Sequence, residues 1–154
     1  MIQYMDAGTA TEYSEAKLLF EAYAQSININ LGFQKFDEEL NSLDQMYCLP
    51  FGGIILVKDD NEYIGCVGIR KITLEIGELK RMYVKPLYQK KGIGKVLLQK
   101  ALMLAKDCNY QKLQLDTLNY MIPAINLYKQ NGFYEIPAYY FNPIPTVVYF
   151  EKLL

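Results

Sequence analysis

The residues best suited to chemistry lie in one short run, Gln89-Lys90-Lys91-Gly92-Ile93-Gly94-Lys95. Glycines at 92 and 94 let a ligand approach the backbone with no Cβ atom in the way. Where such a run opens a helix, its N–H groups have no intrahelical partner and lie at the positive end of the helix dipole. Together these features suit an anion, and a diphosphate in particular. Lys90, Lys91 and Lys95 add positive charge at the rim. No Lys-Ser/Thr pair ends the run, so it is not a Walker A loop. No third glycine follows Gly94 three residues on, so it is not a full dinucleotide fingerprint. Taken alone, the run reads equally well as a helix start that glycine eases.

What is missing narrows the chemistry further. The 154 residues include no histidine, which excludes Ser-His and Cys-His nucleophilic catalysis and argues against a zinc centre; no metal is expected. Proton transfer then falls to Glu, Asp, Tyr, Lys, Cys or ordered water. Cys48, Cys66 and Cys108 are odd in number and share no metal-ligand spacing, so they read as buried thiols of a reducing compartment. A net charge of -1 projects no strong field toward nucleic acid or an anionic membrane. Neither partner is expected. No basic-then-apolar leader opens the chain and no stretch approaches the length of a membrane span, which makes a cytoplasmic protein the expectation.

The elements that must position the run follow from periodicity. Thr9 with Glu12 has the spacing of a capping box, opening a helix to about Tyr23. A second helix is expected over Phe36 to Leu43. Strands are expected at Ile54–Lys58 and Tyr63–Arg70 around the turn Asp59-Asp60-Asn61-Glu62, and again at Glu78–Val84. The longest helix, Ile93–Asp107, follows the glycine run directly, with Ile93, Leu97, Ala101, Leu104 and Ala105 on one face. A strand at Leu113–Leu118, a helix at Pro123–Gln130 ended by Asn131-Gly132, and a strand at Thr146–Lys152 complete the order. No repeat, linker or low-complexity segment interrupts it. The expectation is a single α/β (α+β) domain over residues 1–154, a mixed sheet with helices on both faces.

Two longer patterns add to this. The run Glu78-Leu79-Lys80-Arg81-Met82-Tyr83-Val84-Lys85-Pro86, followed by Gln89-x-x-Gly92-x-Gly94 and Val96-Leu97-Leu98, resembles the core motif of the GNAT N-acetyltransferase family. Leu115-Asp116-Thr117 and Ala124-Ile125-Asn126-Leu127-Tyr128-x-x-x-Gly132-Phe133 resemble that family's second acyl-CoA motif. The resemblance implies the GNAT acyl-CoA N-acyltransferase fold, with a mostly antiparallel twisted sheet of six to seven strands. It also implies acetyl-CoA as co-substrate and an N-acetyltransferase acting on a primary amine by direct attack in a ternary complex.

Residue by residue, the resemblance implies that backbone groups of Met82, Tyr83 and Val84 pair with the pantetheine amides. The pyrophosphate would lie on Gln89, Lys90, Lys91, Gly92, Ile93, Gly94 and Lys95. Gln89 stands where relatives often carry Arg, which weakens the charge but leaves a donor. Tyr128 occupies the position of a tyrosine that protonates the leaving sulfur, a phenol of pKa about 10 beside a thiol of about 8.5. Glu78 occupies a position that serves some relatives as general base, although it is equally placed to pair with Lys80 two residues along the strand. Met121 stands where some relatives have a cofactor-contacting Asn, leaving Asn126 as the replacement.

The acceptor is not legible. Glu38, Glu39 and Asp44 read first as a solvated helix face. The aromatic run from Tyr139 to Pro145 fits either an acceptor pocket or a homodimer interface. Small amines, amino acids, peptide N-termini and lysine side chains all stay open. So do two other classes, an acyl-CoA sensor without turnover and a protein binding another phosphate ligand.

Overall fold

The computed structural model describes residues 1–154, apart from the side chain of Phe33. The chain opens with β1 (Ile2–Asp6), α1 (Ala10–Ile27), α2 (Phe36–Leu40) and α3 (Leu43–Met46). Three strands follow, β2 (Gly53–Asp59), β3 (Glu62–Lys71) and β4 (Ile76–Val84). Then come α4 (Ile93–Asp107), β5 (Lys112–Leu118), α5 (Ile122–Gln130), β6 (Tyr134–Ile136) and β7 (Val147–Leu153). The strands form one seven-stranded sheet in the order β1-β2-β3-β4-β5-β7-β6, antiparallel except where β4 meets β5. This is the mixed, mostly antiparallel architecture expected from the sequence.

Local chemistry explains the elements. The capping box at α1 is complete: Glu12 N–H donates to Thr9 Oγ1, and Thr9 N–H donates to Glu12 Oε2. Asn28, in the left-handed conformation, ends that helix. Strand β2 reads as a continuous apolar run because both faces of the sheet are covered. Ile54 and Leu56 pack with Ala16, Phe20 and Tyr47 on the α1–α3 side, whereas Ile55 and Val57 pack with Leu97, Leu98 and Ala101 on the α4 side. Each such fully buried side chain contributes about 1.5–3 kcal/mol relative to exposure.

The expected helix over Phe36–Leu43 is split, α2 ending at Leu40 and α3 starting at Leu43. Strands β1 and β6 were not foreseen. They are the two outer strands of the sheet, where one exposed edge leaves little hydrophobic alternation to read.

Strand β4 is irregular in the two ways that matter for the site. First, Lys80 stands opposite Gly68 while Tyr83 stands opposite Cys66, so β4 holds one residue more than β3 over that stretch. The bulge is taken up at Arg81, whose φ is 58°. Leu79, Met82 and Val84 turn to the α4 side and Tyr83 to the α1 side, while the heads of Lys80 and Arg81 both reach Gln34, just ahead of α2. Second, β4 pairs with β5 only at Ile76–Glu78 against Lys112–Gln114. Past Glu78 the two strands part.

Candidate active site

The glycine run is a ready anion cradle. Lys90 and Gly92 both have positive φ, 63° and 82°, and Gly92 is the N-cap of the fifteen-residue α4 with no side chain capping it. Among the described residues, the backbone N–H groups from Lys90 to Lys95 donate to no carbonyl. A Cβ at Gly92 would meet nothing within 4 Å, and one at Gly94 would only touch Leu127 at 3.8 Å. Lys90, Lys91 and Lys95 are exposed, with the Lys91 ammonium 5.4 Å from the centre of the Tyr88 ring. Gln89 is tied down rather than free: its Nε2 donates to the Val84 carbonyl at 2.9 Å, fastening the run to the end of β4.

The parting of β4 and β5 opens a cleft beside this cradle. Tyr83 and Val84 pair with Cys66 and Gly65 of β3, leaving the other edge of β4, with Met82, unladdered beyond Glu78. Tyr128 of α5 packs in the core, its ring centre 5.6 Å from Phe133 and 6.5 Å from Phe150. It lines a small cavity of about 30 Å³ in the cleft, together with Met82, Lys80 and Asp116. No protein group among the described residues bonds its hydroxyl. Burial first, then Tyr23 and Asp116, push the phenol well above its usual range, so it stays protonated at neutral pH. Asn126 lies exposed on α5 without a side-chain partner among the described residues.

On the other side of Lys80 lies a network that the sequence only hinted at. Glu78 is buried, and its partner is Arg70, not Lys80: Arg70 Nε donates to Oε1 at 2.9 Å while the Tyr139 hydroxyl donates to Oε2 at 2.6 Å. Glu39 is 1% exposed, which overturns the reading of it as part of a solvated face; Glu38 and Asp44 do lie exposed. It accepts from Arg81 Nε and Nη2 at 3.1 and 2.9 Å, from the Tyr47 hydroxyl at 3.1 Å and from Arg70 Nη1 at 3.4 Å. A five-residue helix offers too little periodicity to tell Glu39 from its neighbours. The available signal was Arg81 in a strand otherwise buried, since such a cation needs a carboxylate from elsewhere.

Lys80 is buried too, donating to Gln34 Oε1 at 3.2 Å and lying 3.6 Å from Asp116. Desolvation lowers its pKa, opposed by Glu78 and Asp116. Asp116 in turn accepts from the Tyr140 hydroxyl. Tyr139 and Tyr140 pack edge-to-face on each other and on Tyr149. With Arg70, Glu78, Lys80 and Gln34 they wall a cavity of about 380 Å³. Those two residues of the aromatic run therefore line a cavity, while Phe141 points to solvent. Lys80 borders both this cavity and the cleft containing Tyr128.

Known proteins resemble this chain in sequence and in fold. The acetyltransferase (GNAT) family model matches residues 18–133. An uncharacterized N-acetyltransferase of Schizosaccharomyces pombe is 33% identical over 90% of this chain and 86% of its own. Among solved structures, a GNAT acetyltransferase from Staphylococcus aureus superposes with a TM-score of 0.81 at 22% identity, over 99% of both chains. A GNAT acetyltransferase from Elizabethkingia anophelis, solved with acetyl-CoA bound, superposes with a TM-score of 0.68 at 25% identity, covering 99% of this chain and 98% of that one.

Proposed function

Because the chain belongs to the acetyltransferase (GNAT) family, we propose that it transfers an acetyl group from acetyl-CoA to a primary amine by direct attack in a ternary complex. The observation that carries this reading is the unladdered edge of β4 running into the cradle of free N–H groups at 90–95. An open strand edge suits a ligand with spaced amides, and the helix start suits its diphosphate. In this assignment Met82, Tyr83 and Val84 receive the amides. The backbone from Lys90 to Lys95 receives the diphosphate, Gln89 holds the loop to β4, and Asn126 reaches the cofactor from α5.

Acetyl-CoA supplies an already activated thioester, so a new N–C bond forms as the C–S bond breaks with its electron pair on sulfur. The protein then has two protons to manage. Tyr128 gives its proton to the sulfur; the burial that keeps the phenol protonated also raises the proton affinity of a thiolate formed beside it. Glu78 takes the proton that the nitrogen loses, from the cavity on the far side of Lys80. Each of its oxygens accepts one hydrogen bond, from Arg70 and from Tyr139, and keeps a second lone pair for that proton. Backbone N–H groups of the open β4 edge polarise the thioester carbonyl.

Calorimetric titration with acetyl-CoA, with ATP as control, tests the reading. Micromolar binding of acetyl-CoA and none of ATP is expected, followed by CoA thiol release when an amine is added. Equal binding of ATP would point to another phosphate ligand. Binding of acetyl-CoA without thiol release from any amine would leave a sensor rather than an enzyme.

A further inference from the structure

The cavity beside Lys80 holds charges that the transfer itself does not need. Each buried cation has a carboxylate: Arg81 has Glu39, Arg70 has Glu78, and Lys80 has Asp116. Lys71, on the exposed side of the cavity, has none among the described residues. Its ammonium rests 4.5 Å from the centre of the Phe51 ring. Arg70 spends Nε on Glu78 and Nη1 on Glu39, but its Nη2 has no protein partner among the described residues, and the side chain is 22% exposed toward the cavity. Four charged residues thus line the cavity, Arg70, Lys71, Lys80 and Glu78, with Glu39 bonded to Arg70 and Asp116 paired with Lys80.

A bare ammonium entering this cavity would add a positive charge to a wall that already holds an excess of them. A zwitterion would not, because its carboxylate would take the free guanidinium edge of Arg70 and the ammonium of Lys71. Its amine would then lie toward Glu78 and Lys80, the side that adjoins the cleft with Tyr128. There Lys80 disfavours a second positive charge, and Glu78 stands beside the amine to take the proton it must lose before it attacks. A volume of about 380 Å³ suits one small molecule.

Resting on the acetyltransferase reading, we infer that the acceptor is a free amino acid or a similarly small amine bearing a carboxylate, held at that carboxylate by Arg70 and Lys71. The test begins with calorimetry, where absence of acetyl-CoA binding would remove the transferase reading itself. With binding established, thiol release is measured for the twenty free L-amino acids and their C-terminal amides. The amide form has the less basic amine, so at neutral pH intrinsic reactivity favours it, and a preference for the acid must come from the site. The expected result is at least one amino acid with kcat/KM tenfold or more above that of its amide. Faster turnover of the amides, or bound acetyl-CoA with no free amino acid turned over, overturns the inference.

Lys71→Gln separates binding from structure. It should raise the KM for the amino acid at least threefold and leave the KM for acetyl-CoA unchanged, with Lys71→Arg restoring the original value. An unchanged acceptor KM, or equal changes in both constants, counts against a carboxylate contact at Lys71.

Discussion

Glu39→Gln is the sharpest test of the buried network. The substitution keeps volume and removes charge, so no cavity contributes. What remains is Arg81, 5% exposed, facing an amide where it had a carboxylate at 2.9 and 3.1 Å. Removing one partner of a buried pair costs about 3–5 kcal/mol. The amide oxygen still accepts a hydrogen bond, which places the loss near about 3 kcal/mol. For a chain of this length that corresponds to a fall in Tm of roughly 6–12 °C. The pH dependence adds a second, independent signature. Burial would raise the Glu39 pKa, but the bonds and charge of Arg81, with Arg70 and Lys80, outweigh it and hold the carboxyl below its ordinary 4.5. A depressed folded pKa means that the ion pair contributes fully above the unfolded value and is lost as pH falls through the folded one. The wild-type protein protonated at Glu39 resembles the variant, so the gap in Tm should begin to narrow as pH falls below the unfolded glutamate value of about 4.3 and close once pH passes the depressed folded value. Thermal melts of both proteins between pH 3 and 8 read this directly. A gap under 2 °C at pH 7, or one that persists unchanged into acid, would show that the pair is not sequestered from water.

Gly92→Val should weaken acetyl-CoA binding at least tenfold, about 1.4 kcal/mol, because a branched side chain at φ 82° both strains the cradle and obstructs its N–H groups; calorimetry that returns the wild-type Kd would remove the cradle from the site. Tyr128→Phe should leave the CoA Kd unchanged and lower kcat, as its hydroxyl bonds no protein group among the described residues. Wild-type kcat in that variant would take Tyr128 out of the proton transfer.

Much of this was written in local pattern. The capping box at Thr9, the heptad-like face of α4 and the glycine run at its start each need only a few neighbouring residues, and they recur in the structure where spacing placed them. Lys90, Lys91, Gly92, Ile93, Gly94 and Lys95 form the cradle for the same reason, whereas Met82, Tyr83 and Val84 were named through the family resemblance and not from spacing. Gln89, although exposed, spends its side-chain N–H on the Val84 carbonyl five residues back, a bond that spacing alone did not announce. The charged network was harder to read because, apart from Arg70–Glu78 and Tyr47–Glu39 eight residues apart, its bonds are long-range. Glu39 meets Arg81 across 42 residues and Tyr139 meets Glu78 across 61, and no spacing rule reaches that far. Lys80 pairing with Asp116 rather than Glu78 follows from a bulge and a diverging strand, neither of which hydrophobic alternation records.

The parting of β4 from β5 has a mechanical side. Three residue pairs join these strands, whereas seven join β5 to β7. The sheet is thus two rafts, β1–β4 and β5–β7–β6, moored to each other at one end. Each raft is laddered within itself, so the soft coordinate of the molecule is the angle between them. A ligand whose amides bridged the open stretch would act as a temporary eighth strand and stiffen that angle. Occupancy of the cleft would then be felt as rigidity at Tyr139 and Tyr140, whose hydroxyls tie the segment between β6 and β7 on one raft to Glu78 on the other and to Asp116 on their own.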